Sequence, residues 1–207
     1  MSLLSTFRTA GLAGVVALAA TAAQASAVKP GAPAPDFSAA TETGKTVKLS
    51  DFQGKYVVLE WANEGCPFTR KHYDSGNMQS LQKEYTAKDV VWLTVFSSAN
   101  GQQGHEDAAG AVAQKAAWHA SPTAMLLDDH GTVGKEFGAK TTPHMFVIDP
   151  KGVLIYMGAI DSVPSADPDD VKTAKNYVKA ALDESMAGKA VTTASSPSYG
   201  CSIKYGT

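Results

Sequence analysis

The chain contains two cysteines, Cys66 and Cys201, and they are the residues with the clearest capacity for chemistry. Cys66 follows the mostly apolar run 57–62 across a short polar turn, and Pro67 comes directly after it. This order predicts a strand, a turn and a helix that begins at the cysteine, since proline is favoured at the first helical position. The free N–H groups and positive dipole end of a helix N-terminus favour a thiolate over a thiol. Because the thiolate is the nucleophile, we expect a reactive sulfur at Cys66.

Thr69 and Arg70, which follow Cys66 in the chain, are candidates to lower the pKa of its thiol. A two-thiol redox motif needs a second cysteine three residues on, and that position is Thr69. We expect the Thr69 hydroxyl to donate a hydrogen bond to the thiolate and so to lower the pKa of Cys66. Arg70 lies four residues after Cys66, on the same helix face, where its charge can polarise the sulfur. Since a neighbouring thiol is missing, Cys201 is the candidate that attacks an oxidised Cys66.

The N-terminus has the pattern of a cleaved secretory signal. Residues 1–27 hold one charged side chain, Arg8, followed by the apolar run 10–23 and the small-residue sequence 24–27. This order is typical of a signal peptide, and the apolar run is shorter than the ~20 residues that a transmembrane helix needs. We therefore expect cleavage, export to the periplasm or the extracellular space, and no stable membrane anchor.

Three arrangements of the cysteines stay open from the residues alone. Disulfides persist in oxidising compartments, and two cysteines are an even number. Cys66 and Cys201 can form a pair that opens and closes during turnover. They can instead form a permanent disulfide that holds the C-terminal tail, or they can remain unpaired or pair between molecules.

Charge and histidine placement bear on other classes of function. The net charge of −2 gives no electrostatic signature of nucleic-acid binding. A copper or zinc site of the cysteine–histidine type needs a second cysteine close to Cys66, so we expect no metal and no cofactor. We expect His72 on the helix surface and His144 in a strand near Cys66.

The periodicity of the remaining chain predicts an α/β fold with a central mixed sheet flanked by helices. The βαβα order predicts parallel strands, and a later hairpin adds antiparallel ones. We expect one domain over residues 28–189, with its last helix beginning at Asp167, and a loosely packed tail over 190–207. In that tail Tyr199 and Tyr205 flank Cys201, either to dock it or as residual hydrophobic residues. Strands are predicted over 47–49, 55–61, 89–96, 124–127, 145–148 and 153–157, and helices from 66 with an interruption at 74–77, over 105–119, over 131–137 and over 167–188.

Three segments resemble sequence blocks of the redoxin family, the alkyl hydroperoxide reductase and thiol-specific antioxidant superfamily. They are GAPAPDF at 31–37, LSDFQGK at 49–55 before the strand, and TTPHMFVID at 141–149. The resemblance spans about residues 30–160 and implies a thioredoxin-like fold. It also implies a cis bond before Pro143 in a tight loop beside the reactive sulfur. Thr142 would then present its backbone N–H and C=O to an incoming thiol or peptide.

The resemblance implies an enzyme, a thiol–disulfide oxidoreductase or thiol peroxidase, with Cys66 as nucleophile. Its partners would be a thiol or disulfide substrate, or a peroxide, and an external thiol reductant. Peroxiredoxins of this family place a proline seven residues before the cysteine and a hydroxyl residue three before it, and here these positions are Leu59 and Asn63. Disulfide exchange or an antioxidant role is therefore favoured. The alternatives are a peroxiredoxin-like peroxidase and a non-catalytic binding domain stapled by a Cys66–Cys201 disulfide.

Overall fold

The structure is a computed structural model that describes residues 28–206. The expected signal sequence, residues 1–27, lies outside the described residues. Two short 3₁₀ segments, Leu49–Phe52 and Pro168–Lys172, accompany the strands and helices. In chain order these are β1 (Ser38–Thr41), β2 (Thr46–Lys48), β3 (Val57–Trp61), α1 (Pro67–Asp74), α2 (Asn77–Thr86), β4 (Val91–Phe96), α3 (Ala108–Ala117), β5 (Ala124–Leu127), α4 (Thr132–Phe137), β6 (Thr141–Thr142), β7 (His144–Ile148), β8 (Leu154–Gly158), α5 (Tyr177–Met186) and β9 (Cys201–Ser202).

Seven of the strands form one mixed sheet in the order β2-β1-β5-β4-β3-β7-β8. Strands β3, β4 and β5 are parallel neighbours, and β7 joins β3 in the antiparallel sense, as β8 joins β7. The α/β fold with a central mixed sheet is therefore confirmed. Every residue of β3, β4 and β7 is buried, because both faces of these strands are covered.

Side chains of β3 alternate between two hydrophobic cores, one on each face of the sheet. Val58 packs with Trp92 and the buried sides of α2 and α5, whereas Leu59 and Trp61 pack on the opposite face. The one acidic residue of β3, Glu60, is also fully buried. Its carboxylate accepts four side-chain hydrogen bonds, which offset the cost of burying it. The donors are Tyr73, Gln82, Trp92 and Thr94.

The last helix begins at Tyr177, so the prediction that it begins at Asp167 is wrong. The side chain of Asp167 caps the short 3₁₀ segment by accepting the Asp169 N–H. Asn176 caps α5, where its side chain accepts the Lys179 N–H at 2.9 Å. Aspartate and asparagine are both favoured N-cap residues, so the sequence carries two start signals and α5 uses the second. Within residues 28–206, the structure has no helix with the length and apolarity to span a membrane.

The Ser/Thr-rich composition of the C-terminal tail predicts loose packing, and this prediction is wrong. Residues 190–206, here called the C-terminal strap, meet the edge strand β8 at a Met157–Ser195 bridge and then reach β6. Strand β9 in the strap pairs with β6, and Ile203 is 8% exposed in the core beneath. Tyr199 and Tyr205 pack against one core each, so they dock the strap. The strap is thus part of the folded domain.

Candidate active site

The turn between β3 and α1 brings Cys66 to the helix N-terminus, as the sequence predicts. Asn63 builds this turn, because its side-chain oxygen accepts the Gly65 N–H at 2.9 Å and its backbone C=O accepts the Cys66 N–H at 3.1 Å. Cys66 is the extended N-cap residue of α1, and Pro67 is the first helical residue. The thiol therefore stands where N–H groups of the first turn are free.

The loop before β7 closes over the Cys66 sulfur. The Thr142–Pro143 peptide bond is cis, which confirms the prediction from the family resemblance. The Cys66 thiol donates a hydrogen bond to the backbone C=O of Thr142, with 2.9 Å between sulfur and oxygen. The two segments lie 76 residues apart in the chain, and the antiparallel pairing of β3 with β7 brings them together.

The strap brings Cys201 to the same place. Cys201 lies opposite Thr142 in the antiparallel pairing of β9 with β6. Its backbone N–H donates to the Cys66 sulfur at 3.4 Å, and its C=O accepts from the Thr142 hydroxyl at 3.4 Å. Gly200 permits this approach, because it has a φ of +128° and a Cβ atom there would collide with the Thr142 carbonyl. Both cysteines are free thiols.

The two thiols differ in pKa because their surroundings differ. Burial alone would raise the pKa of the Cys66 thiol, but hydrogen bonds outweigh it and the pKa lies below its usual range. The groups that lower it are the Cys201 thiol, the Thr142 side chain and the backbone N–H groups of Cys201 and Thr69. Burial, together with the hydrogen bond to Cys66 and its charge, raises the pKa of Cys201 to about 11. Cys66 therefore ionises first, and Cys201 keeps its proton and donates it.

The side chains of Thr69 and Arg70 do not make the contacts with the Cys66 sulfur that the sequence predicts. The Thr69 hydroxyl is buried without a hydrogen-bond partner. The Thr69 backbone N–H does lower the pKa of Cys66. The Cys66 side chain nevertheless makes no N-cap hydrogen bond to the first turn of α1. Arg70 points away along the helix surface and its guanidinium lies 3.5 Å from Asp74. The Arg70 side chain is 63% exposed, and its charge is not among the causes of the low pKa of Cys66.

The two cysteines differ in exposure to solvent. Cys66 is 0% exposed beneath the cis-proline loop and the strap, whereas Cys201 is partly exposed. A bulky partner therefore meets Cys201 first while the strap is docked. The acidic thiol is the covered one, and the accessible thiol is the one that holds its proton.

Two histidines near the site are buried and neutral. The prediction that His72 lies on the helix surface is wrong, because its side chain is fully buried. Burial lowers the pKa of His72 to about 4 and also that of His144 to about 4. His144 does follow the cis-proline in β7, and its Nδ1 accepts the Lys140 N–H at 3.2 Å. Across residues 28–206 there is no group of three or more His, Cys, Asp or Glu side chains arranged to hold a metal ion.

Sequence reasoning missed a buried polar cluster next to Cys201. It consists of Lys71 and His72 on α1, Asp161 after β8 and Tyr199 in the strap. Lys71, His72 and Asp161 are each no more than 4% exposed. These residues lie far apart in the chain, so the sequence pattern does not reveal the cluster. The one signal available is the adjacent Lys71-His72 pair, two polar residues in a helix that the sheet must cover.

Comparison with known proteins agrees with this geometry. Residues 30–157 match the model of the AhpC/TSA family. The chain is 30% identical to the thioredoxin-like protein YneN of Bacillus subtilis over 135 residues, which cover 64% of this chain and 74% of that protein.

Two solved structures extend the likeness. A hypothetical protein from Sinorhizobium meliloti superposes with a TM-score of 0.73 at 23% identity, over 88% of this chain and 97% of that one. A putative thiol:disulfide interchange protein DsbE from Chlorobium tepidum gives a TM-score of 0.55 at 26% identity, over 75% of this chain and 99% of that one. The cysteine at the helix N-terminus, the cis-proline loop beside it and the matched residues 30–157 together show that this chain belongs to the AhpC/TSA family.

Proposed function

We propose that the protein is an exported thiol–disulfide oxidoreductase whose redox centre is the pair Cys66 and Cys201. The observation that carries this proposal is the hydrogen bond from the Cys201 N–H to the Cys66 sulfur at 3.4 Å. The pairing of β9 with β6 fixes that contact. On this proposal the pair cycles between a dithiol and an intramolecular disulfide, and Cys201 takes the place of the missing second cysteine at Thr69.

The exposure and acidity of the sulfurs set the direction of attack on the disulfide form. A thiolate of an external reductant attacks the sulfur of the partly exposed Cys201, the Cys66–Cys201 bond breaks, and Cys66 leaves as a thiolate. Cys66 is the better leaving group because its pKa is the lower of the two. A second reductant thiolate attacks the mixed disulfide at the reductant's sulfur and releases Cys201, which takes up a proton. Two electrons pass from two external thiols to the protein, and the reductant leaves as its disulfide.

The reverse sequence oxidises the dithiol. Cys201 passes its proton to the hydrogen-bonded Cys66 thiolate as it attacks a substrate disulfide and forms a mixed disulfide with one half. The other half leaves as a thiolate and takes that proton, so that Cys66 is again a thiolate. The Cys66 thiolate then attacks the Cys201 sulfur and releases the second half. The family resemblance implies that Cys66 is the nucleophile and Cys201 resolves it. On this proposal Cys66 is the internal nucleophile instead, and Cys201 is the residue that first bonds to the partner. The cover over Cys66 supports this division of roles.

Disulfide exchange has more support than peroxide reduction. Leu59 and Asn63 stand where peroxiredoxins carry a proline and a hydroxyl residue, and Arg70 is paired with Asp74 rather than with the sulfur. Asn63 instead shapes the turn before Cys66. The names of the Bacillus and Chlorobium relatives, a thioredoxin-like protein and a putative thiol:disulfide interchange protein, support the same reading. The signal pattern of residues 1–27 supports export, where an oxidising environment supplies disulfides.

The test is to oxidise the reduced protein with one equivalent of oxidised glutathione and to count its thiols by alkylation and mass spectrometry. We expect loss of both thiols and a peptide linked through Cys66 and Cys201. Reduction of insulin disulfides by an external thiol should be accelerated by the wild type, and the Cys66→Ser and Cys201→Ser variants should lose this acceleration.

The alternatives give different results in the same assays. Rapid stoichiometric loss of the Cys66 thiol with hydrogen peroxide, without disulfide turnover, would identify a peroxidase. A disulfide that forms but resists glutathione, and whose removal lowers the melting temperature by many degrees, would identify a structural staple. Either result overturns the proposal.

A further inference from the structure

A buried carboxylate connects the helix that begins at Cys66 with the strap that carries Cys201. Asp161 lies 3.0 Å from the Lys71 ammonium, and both side chains are at most 4% exposed. The Tyr199 hydroxyl donates to the other carboxylate oxygen, which also accepts the Val163 N–H at 3.0 Å. Lys71 donates in addition to the Val163 C=O at 2.8 Å. Each buried charge in this cluster is thus both paired and hydrogen-bonded.

The hydrogen-bond roles of the neighbouring histidine are fixed by its partners. Tyr199 has one hydroxyl proton and gives it to Asp161, so at the 3.3 Å contact the Nε2–H of His72 is the donor and the Tyr199 oxygen the acceptor. Nδ1 of His72 then accepts from the Asn77 side-chain amide at 2.9 Å. This neutral tautomer agrees with the low pKa of His72. A continuous chain of donors runs from Asn77 through His72 and Tyr199 to Asp161.

This chain of hydrogen bonds is anchored close to both thiols. Lys71 and His72 belong to α1, whose N-cap residue is Cys66, and Tyr199 precedes Cys201 by two residues. The Tyr199 ring also packs edge-on against Phe68 in the first turn of α1, at 5.8 Å between centroids. The same ring lies 5.6 Å from the Lys71 ammonium. The strap is therefore fastened to α1 immediately before β9.

A buried ion pair contributes little net stability, because desolvation of the charges offsets their attraction. Its geometry, however, is demanding, and a misplaced partner leaves a charge unpaired. Such a cluster therefore fixes a position more than it stabilises a fold. What it fixes here is the segment that holds Cys201 on Cys66.

From this arrangement, and given the redox pair proposed above, we infer that Asp161 and Tyr199 are positioning residues that set the effective concentration of Cys201 at Cys66. They touch neither sulfur. They act by holding the strap against α1, so that the Cys201 thiol and N–H stay at the Cys66 sulfur. Loss of the Tyr199 hydroxyl removes the hydrogen bond to the buried Asp161 carboxylate and the acceptor of the His72 Nε2–H, while the ring packing stays.

The experiment compares wild type, Tyr199→Phe and a matched control, Tyr85→Phe. Tyr85 also donates its hydroxyl to an aspartate, Asp183 at 2.7 Å, but it lies on α2 and its hydroxyl bonds α5 rather than the strap. Each protein is equilibrated with reduced and oxidised glutathione, and the fraction of Cys66–Cys201 disulfide gives the effective concentration. The pKa of Cys66 is measured separately from the ultraviolet absorbance of its thiolate.

For Tyr199→Phe we expect a fall in effective concentration of about tenfold, the usual effect of losing a hydrogen bond to a charged group, and a higher pKa of Cys66. Tyr85→Phe should stay within about twofold of wild type in effective concentration, although a similar bond is lost. Asp161→Asn should shift both quantities in the same direction as Tyr199→Phe, and if it does not fold, Tyr199→Phe decides. A merely structural role would lower the melting temperature of both tyrosine variants equally and leave both quantities unchanged.

Failure of this inference can be separated from failure of the proposed function. If wild type forms the disulfide and Tyr199→Phe matches it in effective concentration and in the pKa of Cys66, the positioning role is overturned and the redox pair stands. If wild type forms no Cys66–Cys201 disulfide, the proposed function is overturned. The pKa of Cys66 in Tyr199→Phe then still decides the positioning role, because an unshifted value overturns it.

Discussion

Cys201 lies directly opposite Thr142 across the β6–β9 pairing, so the chain's own cysteine occupies the backbone edge beside the cis-proline. The Thr142 C=O on that edge is already bonded to the Cys66 thiol, and the Thr142 hydroxyl to the Cys201 backbone. An external partner therefore does not meet an empty groove. It meets the strap, with Cys201 partly exposed at the surface.

Removing the Cys201 thiol should make Cys66 less acidic. The Cys201 thiol is the strongest of the hydrogen-bond donors that lower the pKa of Cys66. We expect Cys201→Ala to raise that pKa, measured as the midpoint of thiolate absorbance against pH. Ser202→Ala, at the exposed neighbouring position, is the control and should leave the midpoint in place. An unshifted midpoint in Cys201→Ala would show that backbone groups alone set the acidity.

The disulfide form should react with external thiols at Cys201. Oxidised protein is mixed with glutathione and excess iodoacetamide, and the peptides are mapped by mass spectrometry. We expect glutathione on the Cys201 peptide and the carbamidomethyl group on the Cys66 peptide, because Cys201 is the exposed sulfur and Cys66 the better leaving group. Glutathione found mainly on Cys66 would contradict the proposed order of attack.

A side chain at Gly200 should lift the strap from the cis-proline loop. A Cβ atom at this position would collide with the Thr142 carbonyl, so Gly200→Ala must separate β9 from β6. We expect the rate of Cys66 alkylation to rise about tenfold, because opening of the cover controls access to the buried thiol. The control is Gly188→Ala, which also has a positive φ, +71°, but has open space around its Cβ position. Equal alkylation rates in the two variants would mean that the strap does not cover Cys66.

Two buried histidines should make the fold sensitive to mild acid. Burial lowers the pKa values of His72 and His144 from 6.5 to about 4. Between these values the unfolded chain binds protons that the folded chain does not, so the free energy of unfolding falls as the pH drops from 6.5 towards 4. The loss is about 3 kcal/mol for each histidine. Urea unfolding at a series of pH values measures it, and His144→Gln should remove about half of the pH dependence.

The sequence determined the local parts of the site well. Strand β3, the turn, the helix N-terminus at Cys66 and the interruption before α2 follow from an apolar run, Pro67 and the glycine-containing stretch 74–77. These features depend on neighbouring residues, so a linear pattern is enough to predict them. The cis bond before Pro143 was accessible through the family resemblance. The start of α5 was missed because two N-cap signals, Asp167 and Asn176, compete, and local pattern does not decide between them.

The tertiary structure alone decided how the distant parts meet. The linear pattern predicts a mixed α/β fold and a cysteine at a helix N-terminus, and it leaves the pairing of Cys66 with Cys201 open. The docking of the strap depends on β9 pairing with β6 and on the Asp161–Tyr199 contact, which join residues far apart in the chain. A Ser/Thr-rich composition predicts a loose tail because it counts few apolar groups. Composition carries no information about backbone pairing or contact with a buried carboxylate, and these hold the same segment in place.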